Sequence, residues 1–98
     1  MQSQYLALIF HQFSDDQRIT SWHISIYMSI FYLWSVNGFR NPVQVSRKKV
    51  MQLAHVYSKM TYHKCIRELH QFGYISYLPS YNPFLGSTVH MLFPGNEH

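Results

Sequence analysis

The stretch Ile24 to Val36, ISIYMSIFYLWSV, constrains the fold most: thirteen residues without a charge. A membrane span needs about 20 mostly apolar residues. Ser25, Ser29 and Ser35 also interrupt this run, so it reads as a helix buried in a protein core. At helical pitch Ile24, Tyr27, Ile30, Phe31 and Trp34 gather on one broad apolar face, with Ser21, Ser25, Ser29 and Tyr32 on the opposite side. Thr20 or Ser21 caps its start, and Asn37-Gly38 supplies a residue able to take positive φ at its end. A chain of 98 residues has room for one compact domain with a modest core, and that core must include this helix.

Upstream, Tyr5, Leu8, Ile9 and Phe13 repeat at helical spacing and end at the polar break Ser14-Asp15-Asp16. Such a stripe must be covered, either by the apolar face of the Ile24 helix or by a second subunit, which would make a homodimer through the N-terminal helix.

After Gly38 the pattern changes. Asn41-Pro42 breaks helix, and Val43-Gln44-Val45 alternates as a very short strand. Ser46 is an N-cap for a helix whose inner stripe is Val50, Leu53, Ala54 and Tyr57. A turn around His55 to Tyr57 leads to a second cap, Ser58. The next helix buries Tyr62, Ile66, Leu69 and Phe72, turns Lys59, Met60, His63, Lys64, Arg67 and His70 outward, and closes at Gly73. Tyr74 to Leu78 and Ser87 to Phe93 are strand-like, with Ile75 and Tyr77 on one face beside Val89, Met91 and Phe93. Between them, Pro79 to Gly86 is a turn-rich loop. The fold class is therefore mainly α with a small β-hairpin, an α+β arrangement.

Charge is concentrated in one segment. Ser46 to Ile75 holds six of the eight basic residues and a single acid, Glu68, for a net +5, whereas the whole chain carries +4. Concentration of this kind suggests an anionic partner, and on a helical pair the first candidate is nucleic acid. Arg47, Lys48 and Lys49 occupy the first turn of their helix, where the macrodipole disfavours cations by roughly 0.3 to 1 kcal/mol each. A phosphate docked there would reverse the sign, accepting from free backbone N–H groups and pairing with the side chains. The opposing reading, three solvated surface charges, is equally consistent with the run taken alone.

Other chemistries find little support. No H-E-x-x-H, paired C-x-x-C, phosphate loop or nucleophile elbow is present. His63 and Cys65 face different sides of a helix, and His63 and His70 lack an intervening Glu at ligand spacing, so no metal site is expected. With four acids in all, paired-carboxylate catalysis has little to work with. The expectation is a protein that is not an enzyme and needs no cofactor. The lone Cys65 is read as core, and with no signal-peptide pattern at the start and no membrane segment it suits a cytoplasmic setting.

Thr61-Tyr62, Ile66, Leu69 and Gly73-Tyr74-Ile75 resemble the recognition-helix pattern of winged helix-turn-helix regulators. ITSWHISIYMSIFYLW, FRNPVQVSR, TYHKCIRELHQFGYI and PSYNPFLGS are similar to stretches of small Bacteroidetes proteins, often associated with mobile elements, described as transcriptional regulators. The resemblance covers about Ile19 to Leu92. It implies a winged helix-turn-helix with an extra N-terminal helix, divided into residues 1–18 (helix and connector), 19–93 (winged domain) and 94–98 (tail). It also implies binding of double-stranded DNA, with the Ser58 to Phe72 helix in the major groove. Ser58, Thr61, Arg47 and Lys48 would position phosphates. Lys59, Met60, Thr61, His63 and Lys64 would face bases or flanking phosphates, with Arg67 farther along the same surface and Lys64 and His63 reading bases. The wing holds no Lys or Arg, leaving Tyr81 and Asn82 for any contact there. The alternative is a winged-helix protein–protein interaction module, or a replication or excision accessory factor of a mobile element.

Overall fold

The computed structural model describes residues 2–80 and 86–92. At its centre lies α2 (Ser21–Val36), and the rest of the chain is arranged around it as α1 (Gln2–Asp15), β1 (Val43–Val45), α3 (Arg47–Ala54), α4 (Lys59–Gln71), β2 (Ile75–Leu78) and β3 (Ser87–Met91). Among the described residues no helix is long and apolar enough to cross a membrane.

The central helix is covered on two sides. Tyr27, Ile30, Phe31 and Trp34 are buried as expected, but Ile26 is buried too and Ile24 only half-buried. Ser29, placed by the periodicity on a polar side, is buried, and Ser25 is half-buried. The reason is α3, which packs on that side. The Ser25 hydroxyl donates to the Ala54 carbonyl at 2.6 Å and that of Ser29 to the Ser25 carbonyl at 2.8 Å. Small side chains let a second helix approach, and these bonds satisfy the hydroxyls so enclosed.

Aromatic rings hold α1 on the other side. Tyr5 lies 5.4 Å from Phe31 and 5.6 Å from Trp34 between ring centres, and Phe13 meets Tyr27 edge-on at 5.1 Å. The Tyr5 and Tyr27 hydroxyls are 2.6 Å apart, and Tyr5 donates to the Leu92 carbonyl. Of the expected stripe, Tyr5, Ile9 and Phe13 are buried, whereas Leu8 stays exposed. The stripe thus covers the Ile24 helix within the same chain.

Both short helices of the basic segment begin as read: Ser46 Oγ accepts from the Lys49 N–H and Ser58 Oγ from the Thr61 N–H. The end of α3 differs. His55 takes the left-handed conformation (φ 58°), and the Val56 N–H reaches back to the Met51 carbonyl. This reversal buries Val56 and leaves Tyr57 83% exposed, so Val56 replaces Tyr57 in the core. Downstream, Tyr62, Cys65, Ile66 and Leu69 are buried and Phe72 half-buried. Gly73 (φ 88°) ends α4, with the Tyr74 N–H on the Leu69 carbonyl.

The strands form one antiparallel sheet of order β1-β3-β2, in which Val89 stands opposite both Val43 and Tyr77. Val43, Val45, Ile75, Val89 and Met91 are buried. Asn41 extends the β1–β3 pairing through its side-chain amide, which donates to the Met91 carbonyl and accepts its N–H. Phe93 and the 94–98 tail lie outside the described residues. Gly86, just before β3, has φ 71°, and a Cβ there would sit 2.6 Å from the Val45 carbonyl oxygen.

A polar latch ties the α1–α2 connector to the end of α4. Asp16 accepts from Arg18 Nε and Nη2, each at 2.8 Å, and from the Tyr74 hydroxyl at 2.9 Å. The Arg18 guanidinium lies 4.0 Å above the Phe72 ring. Hydrogen bonding from Arg18, with help from Tyr74, holds the Asp16 carboxyl well below the usual carboxylate range. Burial and the bond to Asp16 push the Tyr74 phenol up to about 12.

Two outcomes are expected. Gly86→Ala lowers unfolding free energy in urea by roughly 1 to 3 kcal/mol, because the left-handed backbone and the Val45 carbonyl both resist a methyl group. Asp16→Asn lowers the melting temperature at neutral pH. A depressed folded pKa contributes stability that is fully present above the unfolded value, about 3.9, and is lost as pH falls below it. The gap between wild type and Asp16→Asn therefore narrows below about pH 4, which a melting series across acidic buffers measures.

Candidate nucleic-acid interface

The basic residues emerge where two capped helix starts approach the surface. Ser46 caps α3 while Arg47, Lys48 and Lys49 fill its exposed first turn; Ser58 caps α4 and is followed by exposed Lys59 and Met60. Neither first turn contains an acid. Each cap uses its hydroxyl oxygen as acceptor, which leaves the O–H proton as a donor. Further along α4, Lys64 and Arg67 are exposed, and Thr61 and His63 are half-buried. The His63 ring sits edge-on to Tyr62, 5.3 Å between centres. Beneath them Tyr62, Cys65, Ile66 and Leu69 fix the helix to the core.

The described acids are engaged elsewhere. Asp15 lies against His11, Asp16 against Arg18 and Glu68 against His23, and none of the three meets a cation of α3 or α4. Glu68, the one acid of the basic segment, is directed at buried His23 with Nε2···Oε1 at 2.8 Å. Among the described residues, therefore, no carboxylate pairs with the exposed cations of α3 and α4.

Arg47, Lys48, Ser58, Lys59, Met60, Thr61, His63, Lys64 and Arg67 all lie on these two helices or at their caps. Tyr81 and Asn82 fall outside the described residues, and neither β2 nor β3 contains Lys or Arg. Sequence reasoning missed Tyr57, which the helical stripe assigned to the core. It projects from the turn just before Ser58, its hydroxyl 3.3 Å from His55 Nδ1. The nearness of the Ser58 cap was the available signal, since a helix restarting there leaves no turn in which Tyr57 could continue the α3 stripe.

The other candidate chemistry is a trio that linear spacing could not reveal. A His23 ring nitrogen, Cys65 Sγ and a Glu68 oxygen lie within 4.8 Å of one another. The Thr20 backbone N–H donates to His23 Nδ1 at 2.9 Å, so the ring proton sits on Nε2 and is donated to Glu68. No imidazole lone pair then faces Cys65. Burial, and next the Glu68 charge, push the Cys65 thiol up against the weaker pull of Lys64. In this state the trio does not form an activated nucleophile. His70 is also structural, its Nδ1 accepting the Tyr77 N–H at 3.0 Å.

No family model matches this chain, and neither a curated protein nor a solved structure does.

Proposed function

We propose that this chain is a cytoplasmic winged helix-turn-helix protein that binds duplex DNA and regulates transcription, in the setting of a mobile element. The observation that carries the reading is the segregation of charge: two Ser-capped, acid-free helix starts expose cations, while the nearest carboxylate is turned inward to His23. The order helix, strand, helix, helix, strand, strand after α1 and the sheet order β1-β3-β2 support it as well.

In this mechanism the N-terminal half of α4 enters the major groove. Arg47 and Lys48, beside the open N–H groups of the first α3 turn, hold backbone phosphate, and the Ser58 and Thr61 hydroxyls hold another. Lys64 and His63 reach base edges, with Lys59, Met60 and Arg67 flanking them. Tyr57 joins the surface as a phosphate donor or stacking ring. Contacts from the loop after β2 fall to Tyr81 and Asn82.

One recognition helix reads only a few base pairs, so the active species is a homodimer. An open groove of about 450 Å³ between α1 and α2, lined by Leu6, Ala7, Ile9, Phe10, Phe13, Ile24 and Met28, supports this assembly. Phe10, 61% exposed and part of that lining, is the side chain we propose enters the groove of a second copy. No Lys, Arg, Asp or Glu lines it, so two copies that each carry +4 can meet there without opposing charges.

Affinity for duplex DNA is expected to fall steeply with salt, each phosphate contact adding ~0.9 to the log–log slope. Lys64→Ala weakens a specific site by about 1 to 3 kcal/mol more than random DNA, whereas Arg47→Ala weakens both alike. Fluorescence anisotropy against duplexes that include the DNA flanking its own gene measures this. Absence of binding at low salt defeats the proposal and leaves the protein-interaction module. Sedimentation at micromolar concentration is expected to give a dimer that Phe10→Ser converts to monomer; a wild-type monomer removes the dimer from the scheme.

A further inference from the structure

We propose that His23, Cys65 and Glu68 form a site for a single zinc-class divalent ion that joins the start of α2 to α4. A thiolate, an imidazole and a carboxylate are the donor types that zinc takes together. Here they come from two helices and converge without any chain rearrangement, His23 and Glu68 being 45 residues apart in sequence. At zinc–ligand lengths of about 2.0 to 2.3 Å, tetrahedral donors stand roughly 3.3 to 3.6 Å apart. The separation of His23 and Glu68 is 2.8 Å, and the largest in the trio is no more than 4.8 Å. Small side-chain rotations therefore suffice to seat the ion.

The surroundings fit as well. Ligation through Nε2 moves the ring proton to Nδ1, and Thr20 Oγ1 stands 2.9 Å from that nitrogen, ready to accept it. The Thr20 N–H bond to Nδ1 of the ion-free ring is given up on ligation. The ring thus has a Thr20 partner in either tautomer, the outer-shell support that metal-bound histidines use. His23 and Cys65 are buried at 3% and 4% exposure, and the Glu68 side chain keeps 29% of its surface open. Ion entry and a fourth, water ligand belong on the Glu68 side. Binding displaces the Cys65 thiol proton and the His23 Nε2 proton, the latter balanced by uptake at Nδ1, and gives up two hydrogen bonds, His23 Nε2 to Glu68 and the Thr20 N–H to Nδ1.

Cobalt(II) titration of the full reduced chain in metal-free buffer tests this. The expected result is one equivalent bound, with tetrahedral visible bands and a near-ultraviolet thiolate-to-cobalt band, both bleached by zinc. Cys65→Ser abolishes the thiolate band, and Glu68→Gln weakens affinity at least tenfold while retaining the band. His11→Ala, which removes the exposed His11–Asp15 pair, leaves the spectrum unchanged. Zinc also raises the melting temperature of the wild-type chain and not that of Cys65→Ser. Binding without a thiolate band, loss of the signal in His11→Ala, or no binding at micromolar cobalt overturns the proposal. Each readout is independent of DNA, so failure here and failure of DNA binding are separable.

Discussion

The burial of α2 on two unlike sides governs the structure. Its aromatic side, Tyr27, Phe31 and Trp34, meets α1 through rings and a pair of tyrosine hydroxyls, while its serine side lets α3 approach and hydrogen-bonds it at Ala54. Burial pushes the Tyr27 phenol upward, keeping it a neutral donor within that contact. Because α3 is fixed at its C-terminal end by the Ser25 bond, the reversal at His55 and the start of α4 are fixed as well. The small Ser25 and Ser29 side chains, with the Ser25 bond to Ala54, thus help position the helices that carry the basic residues.

Polar groups add direction that apolar packing lacks. Thr20, His23 and Glu68 join the start of α2 to the middle of α4, and Asp16, Arg18 and Tyr74 join the preceding connector to the chain leaving α4. His23 is buried, so its bonds are costly to leave unmade, and they make the register of α2 against α4 specific. The same contacts engage the Asp16 and Glu68 carboxylates with partners other than the exposed cations of α3 and α4. Structural tying of the acids and exposure of the bases are one arrangement seen from inside and outside.

Much of this was legible in periodicity and punctuation. The buried helix, both serine caps, the closing glycine at position 73 and the Tyr62, Ile66, Leu69 face follow from spacing and local chemistry alone, because each depends on neighbours within one turn. The exceptions are tertiary. A helical wheel treats Ser25 and Ser29 as polar and outward, and only the arrival of α3 makes that side interior. The Val56 and Tyr57 exchange turns on a single left-handed residue, His55, a conformation that costs a non-glycine about 1 kcal/mol or more. Burial of Val56 offsets that cost. Asp15-Asp16 reads as a polar break, yet the partners that make Asp16 a latch, Phe72 through Arg18 and Tyr74 directly, lie far along the chain. Such partnerships leave no trace in a local window.

The two exposed helix starts show where the fold forgoes stability. An acid at Arg47 or Lys59 would complement the helix dipole, yet both first turns carry cations and rely on serine for satisfaction of backbone N–H groups. The serines show that these are well-formed termini, so the unfavourable charges are not a by-product of fraying. A serine cap satisfies one N–H and remains neutral, which leaves the positive end of the dipole unneutralised; an aspartate cap would cancel it. Neutral cap, adjacent cations and a carboxylate withdrawn to His23 all act in the same direction, each raising the local positive potential. An anion placed there would interact favourably with all three at once.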